Sequence, residues 1–292
     1  MQHTLAGPAQ FAGVGVHKGG DVRIRVWPAA ADNGVVFRRI DLTDVDNLVP
    51  ARAQAVCDTR MGTVVGNASG VTVATIEHLM ATLCALGIDN AVIDIDGPEV
   101  PIMDGSALAF LRGLDRAGRR PLRKPRRSLE LLRTVEVSEG RKRAALSPAA
   151  DFEVAFEILF DSPVIGRQSV DLVVDEASFR RELADCRTFG FSHEVETLRG
   201  AGLAHGASLE NVVVIEHDRV LNPGGLRRPD EFVRHKALDA IGDLHLLGAP
   251  ILGRYEGRYA GHALNNALAR ALLADPSAWR FAYPSEALAR AG

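Results

Sequence analysis

The chain repeats one succession of secondary-structure signals in its two halves. Two helical patterns, over residues 75–86 and 231–247, each end at a glycine, and each leads into a short strand-like segment, at 91–95 and 250–252. A glycine directly after the last apolar residue of a helical pattern is a typical helix stop. Any fold for this chain must therefore place the same succession twice.

The spacing of chemically distinctive residues supports this repeat. A Gly-x-Ala-Leu motif that opens a further helix follows both strand-like segments, with Ser106 and His262 at its second position. The interval from His78 to Ser106 is 28 residues, and the interval from His235 to His262 is 27. Short matches arise by chance, but a shared order together with a shared spacing indicates an internal duplication. We therefore predict two similar domains.

Alternating apolar and polar residues predict strands in both halves. Residues 22–26 and 152–158 follow the two-residue period of half-buried antiparallel strands. Because the strands come in groups rather than one per helix, the patterns favour an α+β fold over a doubly wound parallel sheet. The Gly-Val-Gly at 13–15 lacks the last glycine of a dinucleotide-binding fingerprint, and we expect a tight turn there.

A basic run at 116–127 separates the halves. Seven of its twelve residues are Lys or Arg, none is acidic and two are proline, so we predict a solvated connector between domains at 1–120 and 128–292. The alternative is a patch that binds phosphate or nucleic acid, although no aromatic residues lie among the basic ones for base stacking. The whole chain has 34 basic and 37 acidic residues, and this balance predicts no nucleic-acid partner.

Composition and cysteine usage predict a soluble protein of a reducing compartment. With 47% hydrophobic and 24% charged residues among 292, the chain can form a sizeable globular core. Its three cysteines, at intervals of 27 and 102 residues, fit neither a disulfide framework nor a paired-cysteine zinc ribbon. No basic stretch precedes an apolar one at the N-terminus, and no window has 18 consecutive apolar residues. We expect a cytoplasmic location without integral membrane association.

The second helical pattern carries a polar face. Its apolar stripe leaves His235, Asp239 and Asp243 within about 80° of one another on the opposite side of the helix. Such a face can simply be solvated. Alternatively, His235 and Asp239, one turn apart, offer an imidazole and a carboxylate to the same metal ion.

The first helical pattern offers a third ligand and a base. His78 points away from the apolar stripe of that helix, and Glu77 precedes it. If the two helices face each other, His78, His235 and Asp239 can form a three-ligand zinc site with one open position, which is the catalytic rather than the structural arrangement. Glu77 is then placed to take a proton from activated water, which indicates hydrolysis. Alternatively, its negative charge at the start of the helix simply interacts favourably with the helix dipole.

His262 lies at a loop tip where the last helical pattern begins. Its equivalent in the first half is Ser106, which argues against a shared structural need. We predict that His262 acts as a general acid or stabilises an oxyanion, held protonated by Asp243 one turn beyond Asp239. As a lone histidine it can also be a packing residue.

Three long segments closely resemble the zinc-dependent UDP-3-O-acyl-N-acetylglucosamine deacetylases of Gram-negative lipid A biosynthesis. They are TIEHLMATLCALGIDNAVIDIDGPEVPIMDGSA from Thr75, RTFGF from Arg187, and the stretch from VLNPGGLRRPDEFVRHKALDAIGDLHLLG at Val220 to GHALNN at Gly261. The likeness extends over essentially the whole chain. It implies two similar, mainly antiparallel α+β domains whose helix layers pack between two outer sheets.

The resemblance also implies an activity. The family removes acetate from the 2-acetamido group of a UDP-sugar that already carries a 3-O-hydroxyacyl chain, the committed step of lipid A biosynthesis. We expect a monomer with one Zn²⁺ per chain, with Fe²⁺ as an alternative in the cell, and the resemblance implies that the three ligands named above hold the ion. Glu77 would be the general base, and His262 the partner acid, oriented by Asp243.

Further residues take substrate-binding roles by the same resemblance. Thr188 would donate a hydrogen bond to the tetrahedral oxyanion, Phe189 would lie against the substrate, and Lys236 would contact its anionic portion. A segment inserted at about 191–214 would form an apolar passage for the acyl chain. The residues that would line it are Phe191, Val195, Leu198, Leu203, Ala204, Ser208, Leu209, Val212 and Val214.

The acyl-length preference stays open, because His205 and Ala207 stand where many relatives carry an apolar residue and a glycine. Three other functions also stay open, and one of them is a nucleic-acid-binding protein that acts through the basic run at 116–127. A metal-stabilised binding module would release no acetate, and a zinc deacetylase for another N-acyl sugar would not require the 3-O-acyl chain.

Overall fold

The computed structural model describes residues 1–283, which form an α+β structure. The elements of the first half are β1 (His3–Leu5), β2 (Ala9–Val14), β3 (Asp21–Pro28), β4 (Val35–Arg39), β5 (Leu48–Pro50), β6 (Val56–Asp58), β7 (Val64–Gly66), β8 (Thr72–Val73), α1 (Glu77–Ala85), β9 (Ala91–Ile95), α2 (Leu108–Ala117) and β10 (Arg119–Pro121). Those of the second half are β11 (Ser128–Leu131), β12 (Val135–Glu139), β13 (Lys142–Ser147), β14 (Phe152–Leu159), β15 (Arg167–Val173), α3 (Glu176–Ser178), β16 (Phe189–Phe191), α4 (Val195–Gly200), β17 (Val213–Glu216), β18 (Arg219–Val220), α5 (Glu231–His245), β19 (Ile251–Arg258), α6 (His262–Ala274) and β20 (Trp279–Ala282).

The two large sheets share one topology. The first has the strand order β2-β3-β9-β4-β5, and the second contains the same path as β12-β13-β19-β14-β15. In both paths the central strand pairs in parallel with one neighbour, β4 or β14, and the other pairs are antiparallel. Ile93 of β9 and Tyr255 of β19 each pair with residues on both neighbouring strands, and each is fully buried. The predicted duplication and α+β class are confirmed.

The helices lie between the two sheets. α1 packs against α5 in the middle of the molecule, α2 packs on β2, and α5 and α6 pack on strands of the second sheet. Apolar residues of both halves join in one hydrophobic core. The layers therefore run sheet, helices, helices, sheet, as the family resemblance implies.

A glycine allows the close crossing of α1 and α5. A Cβ added at Gly242 would lie 2.0 Å from the carbonyl oxygen of Glu77 and 2.8 Å from its carbonyl carbon, and both are backbone atoms. No side chain fits there unless the helices separate. His78 follows Glu77 on α1, and Asp239 and Asp243 lie near Gly242 on α5. The close approach at this glycine therefore brings the side chain of His78 near those of the two aspartates.

We expect Gly242→Ala to lower the free energy of unfolding by about 1–3 kcal/mol, the usual cost of overpacking, although alanine favours a helix by about 1 kcal/mol. Gly200 of α4 has no atom within 4 Å of an added Cβ, so Gly200→Ala is the matched control and should leave stability unchanged or slightly higher. Urea unfolding of both variants and the parent measures the difference. A Gly242→Ala protein as stable as the parent would contradict the close crossing.

Three local predictions differ from the structure. Gly13 and Val14 belong to β2, and the turn follows only at 16–18. α1 begins at Glu77 because Thr75 has a φ of 57°, which is incompatible with a right-handed helix. The basic run is less irregular than predicted, because α2 reaches Ala117 and β10 pairs with β1.

The connector is also tied to the first half by ion pairs. Lys124 pairs with Asp32, and Arg126 pairs with Asp89 at 2.7 Å. The domain boundaries at 1–120 and 128–292 stay a prediction, and residues 284–292 of the second lie outside the described residues. Within residues 1–283, the helices are too short or too polar to cross a membrane.

Candidate metal centre

Two imidazoles and a carboxylate meet where α1 and α5 cross. The ligand atoms of His78, His235 and Asp239 all lie within 4.8 Å of one another. Asp239 Oδ1 lies 3.5 Å from Nε2 of His78 and 3.4 Å from Nε2 of His235. All three side chains are buried, as is Asp243, so the alternative in which this face of α5 is simply solvated is wrong.

His235 has the protonation state that a metal ligand requires. Burial lowers the pKa of its imidazole to about 3, so the ring is neutral. Its Nδ1 lies 3.1 Å from the carbonyl oxygen of Cys186, which can only accept a hydrogen bond. The single proton of the ring therefore resides on Nδ1, and the lone pair of Nε2 is directed toward Asp239.

Asp239 presents an oxygen without a partner. Lys236 donates a hydrogen bond of 2.8 Å to Oδ2, whereas Oδ1 is buried and has no hydrogen-bond partner within residues 1–283. A buried carboxylate oxygen in that state is destabilising unless a cation binds to it. Two imidazole nitrogens and one carboxylate oxygen suit a divalent ion such as Zn²⁺. The cluster therefore fits the metal that the sequence indicates.

Glu77 begins α1 beside this cluster. Its side chain is buried, and burial raises the pKa of the carboxyl group. Oε2 accepts a hydrogen bond of 3.0 Å from the backbone N–H of Thr63. A Cβ added at Gly62 would lie 2.9 Å from Oε1, so this glycine leaves room for the carboxylate. A raised pKa next to a candidate ligand is what a general base at neutral pH requires.

His262 and Asp243 form the predicted pair. Nδ1 of His262 donates to Oδ2 of Asp243 at 2.9 Å, and Asp243 also accepts hydrogen bonds from the side chains of Asn265 and Thr63. Burial disfavours the imidazolium, but the charge and hydrogen bond of Asp243 outweigh burial and raise the pKa of His262 to about 9. Nε2 of this ring lies 3.9 Å from Asp239, so a protonated imidazole lies at the edge of the cluster.

The RTFGF segment lies against α5. Cys186, whose carbonyl oxygen accepts from His235, stands two residues before Thr188 in the chain. The hydroxyl of Thr188 has no hydrogen-bond partner in the part of the chain that the structure describes. Phe189 packs edge-on against Phe232 of α5, with 4.9 Å between ring centroids. The roles of Thr188 and Phe189 toward a substrate stay predictions.

The predicted insertion forms a small unit that spans 189–220. β16 and β17 pair in parallel, β18 joins them antiparallel, and α4 lies in the connection. Most predicted passage residues are half-buried, namely Phe191, Val195, Leu198, Leu203, Val212 and Val214, whereas Ala204 is buried and Ser208 and Leu209 are exposed. An apolar passage along them stays a prediction.

Four contributors to this region were missed by sequence analysis. Thr63 belongs to no motif, Cys186 acts through its backbone carbonyl, and Phe160 joins the rings of the RTFGF segment from a distant strand end. Only Asn265 could have been found from the sequence. It lies three residues after His262 in the GHALNN motif and therefore shares its helix face.

Comparisons with known proteins show which family this chain belongs to. Residues 2–274 match the profile of the family described as LpxC, UDP-3-O-acyl N-acetylglycosamine deacetylase. A protein of Phenylobacterium zucineum named UDP-3-O-acyl-N-acetylglucosamine deacetylase is 66% identical over 291 residues, 100% of this chain and 99% of that protein. Proteins of that name from Myxococcus xanthus and Neisseria meningitidis serogroup A are 47% and 46% identical, over 95% and 96% of this chain and 88% and 92% of theirs. The chain therefore belongs to the UDP-3-O-acyl N-acetylglycosamine deacetylase family.

Proposed function

We propose that this chain hydrolyses the N-acetyl group of UDP-3-O-(3-hydroxyacyl)-N-acetylglucosamine and releases acetate, the committed step of lipid A biosynthesis. The observation that carries the proposal is the buried cluster of His78, His235 and Asp239 with Glu77 beside it, in a chain of a deacetylase family. We expect the reaction to take place in the cytoplasm, on a monomer.

The metal that we propose is one Zn²⁺ per chain, held by His78, His235 and Asp239, with Fe²⁺ as an alternative in the cell. When bound there, the ion supplies Lewis acidity toward the acetamide carbonyl and toward water. The neutral Nε2 of His235 and the unpartnered Oδ1 of Asp239 support this assignment.

Two protein groups would move the protons. Glu77 takes a proton from the attacking water, and the N–H of Thr63 holds its Oε2 while Oε1 is left for the water. His262 gives a proton to the sugar nitrogen as the C–N bond breaks, and Asp243 holds the ring by Nδ1 so that Nε2 is the donor. Water thus adds to the acetyl carbon, and acetate and the free amine are the products.

Three further side chains would bind the reacting sugar. The hydroxyl of Thr188 is available to donate to the developing oxyanion. Lys236 stays charged, because Asp239 outweighs the effect of burial and raises the pKa of the ammonium group, and it would contact the anionic portion of the substrate. Phe189 would lie against the sugar.

The inserted unit would bind the acyl chain along the apolar residues named above. Each methylene buried there contributes about 0.8 kcal/mol, so the passage can dominate substrate selection. We therefore expect UDP-N-acetylglucosamine without the 3-O-acyl chain to be a poorer substrate by about 10²-fold or more in kcat/KM.

The decisive experiment measures acetate release from the acylated UDP-sugar before and after treatment with a chelator. We expect activity to fall by about 10²-fold or more when the metal is removed and to return when Zn²⁺ is added back. A protein that binds Zn²⁺ but releases no acetate from either sugar would be a binding module. Equal kcat/KM for the acylated and unacylated sugars would identify a deacetylase for another N-acyl sugar.

A further inference from the structure

One residue of the first half contacts both proton-transfer groups. Thr63 lies directly before β7 and is 1% exposed. Its N–H donates to Oε2 of Glu77 at 3.0 Å, its hydroxyl donates to Oδ1 of Asp243, and that hydroxyl oxygen lies 3.3 Å from Nδ1 of His262. Thr63 is therefore the bridge between a carboxylate of α1 and a carboxylate–imidazole pair on α5 and α6.

The segment that carries Thr63 is anchored to other parts of the first half. Met61 has a φ of 60°, a left-handed conformation that residues with a side chain seldom adopt, and its carbonyl oxygen accepts a hydrogen bond of 3.1 Å from Nε2 of His17. At Gly62, a Cβ would displace the Glu77 carboxylate, as described above. This anchoring fixes the Thr63 hydroxyl relative to Glu77 from the first half alone.

The Thr63 hydroxyl also holds one oxygen of the Asp243 carboxylate. Oδ2 of Asp243 accepts from Asn265 and from His262, whereas Oδ1 accepts only from Thr63 within residues 1–283. Without that hydroxyl, Oδ1 is buried and unpartnered, and the carboxylate loses one of the three contacts that hold its rotation. Because Asp243 holds the His262 ring by Nδ1, a rotated carboxylate moves Nε2 away from the position of the departing amine.

We propose that Thr63 is a positioning residue that holds Glu77 and the Asp243–His262 pair in one geometry for proton transfer. This inference rests on the proposed roles of Glu77 and His262. A displacement of a catalytic group by about 1 Å can lower turnover by about 10²-fold, so loss of this hydroxyl should affect kcat rather than substrate binding.

The test compares three substitutions at this position in the full-length, Zn²⁺-loaded protein. Thr63→Val removes the hydroxyl at nearly constant volume and should lower kcat by about 10- to 100-fold, with KM changed by less than about threefold. Thr63→Ser keeps the hydroxyl and should retain kcat to within about threefold. Thr63→Ala removes the hydroxyl without placing a methyl group against the carboxylate, and it replaces the valine variant if that protein does not fold.

Thr4 offers a matched control. Its buried hydroxyl also makes two hydrogen bonds, donating to the carbonyl oxygen of Asn90 at 2.7 Å and accepting from the N–H of Ala29 at 2.8 Å. Thr4→Val should lower the melting temperature to a similar extent as Thr63→Val but leave kcat unchanged. Equal kcat values for the two valine variants would overturn the inference, and so would a Thr63→Ser protein as slow as Thr63→Val.

His262→Ala separates failure of this inference from failure of the proposed function. If Thr63 acts through His262, Thr63→Val should slow the His262→Ala protein no further, because the two substitutions remove one shared interaction. An impaired His262→Ala together with an unimpaired Thr63→Val would overturn the inference alone. A His262→Ala protein with parental kcat would instead show that the proposed acid is wrong.

Discussion

Glu77→Gln should lower kcat for acetate release by about 10²-fold or more while Zn²⁺ stays bound. Glutamine has nearly the same size, and its carbonyl oxygen can still accept the hydrogen bond from the N–H of Thr63. It cannot take a proton at neutral pH. Because His78, His235 and Asp239 are unchanged, the metal content should remain one per chain. Steady-state kinetics together with elemental analysis of the purified variant measure both quantities.

Glu99 provides the control for this substitution. It is 1% exposed and, like Glu77, accepts hydrogen bonds from backbone N–H groups, those of His17 and Lys18. Glu99→Gln should therefore reproduce the replacement of a buried carboxyl group by an amide, while kcat changes by less than about threefold. If Glu77→Gln deacetylates at the parental rate, Glu77 is not the base. If Glu77→Gln also loses its metal, the Glu77 carboxylate contributes to metal binding rather than acting as the base.

The duplication was predictable because its signals are local. Helix stops at Gly87 and Gly248 and the alternation in β3 and β14 are properties of short segments, and the interval from His78 to Ser106 nearly equals that from His235 to His262. The parallel pairing of β4 with β9 and of β14 with β19 was not predictable. Strand pairing joins segments that are distant along the chain, and the alternation of side chains does not identify the partner strand.

The same holds for the site: residues close together in the sequence were predictable as neighbours, whereas contacts between distant segments were not. The i, i+4 spacing placed His235 and Asp239 on one face of α5, but the meeting of that face with His78 depends on the crossing at Gly242. In a sequence, a glycine within a helical pattern indicates only a weaker helix. It does not indicate which backbone approaches it.

Backbone contributions are the hardest to find in a sequence. The carbonyl oxygen of Cys186 sets the tautomer of His235, and the N–H of Thr63 holds Glu77, yet every residue has a carbonyl and nearly every residue has an N–H. Motif spacing therefore predicted the side chains of the site, including Asp243 beside His262, whereas the backbone groups that hold His235 and Glu77 emerged only from the packing of the two halves.

His235→Ala should abolish both metal retention and acetate release. The substitution leaves His78 and Asp239 as the only two residues of the cluster, and a site with two protein ligands holds Zn²⁺ far more weakly than one with three. In the parent, a metal that binds only the folded state raises stability by about 2.7 kcal/mol when its free concentration is 100 times Kd. Thermal unfolding with and without added Zn²⁺ should show this increase in the parent and not in His235→Ala.

His245→Ala tests whether the loss of metal is specific to the proposed ligand. His245 lies on the same helix, is also buried, and has a pKa that burial lowers to about 4, but it is not part of the cluster. This variant should retain one Zn²⁺ per chain and the parental increase in thermal stability on metal addition. Stoichiometric Zn²⁺ in His235→Ala, at a free concentration that just saturates the parent, would contradict the ligand assignment. Metal loss from both variants alike would indicate that disruption of α5, rather than removal of a ligand, is responsible.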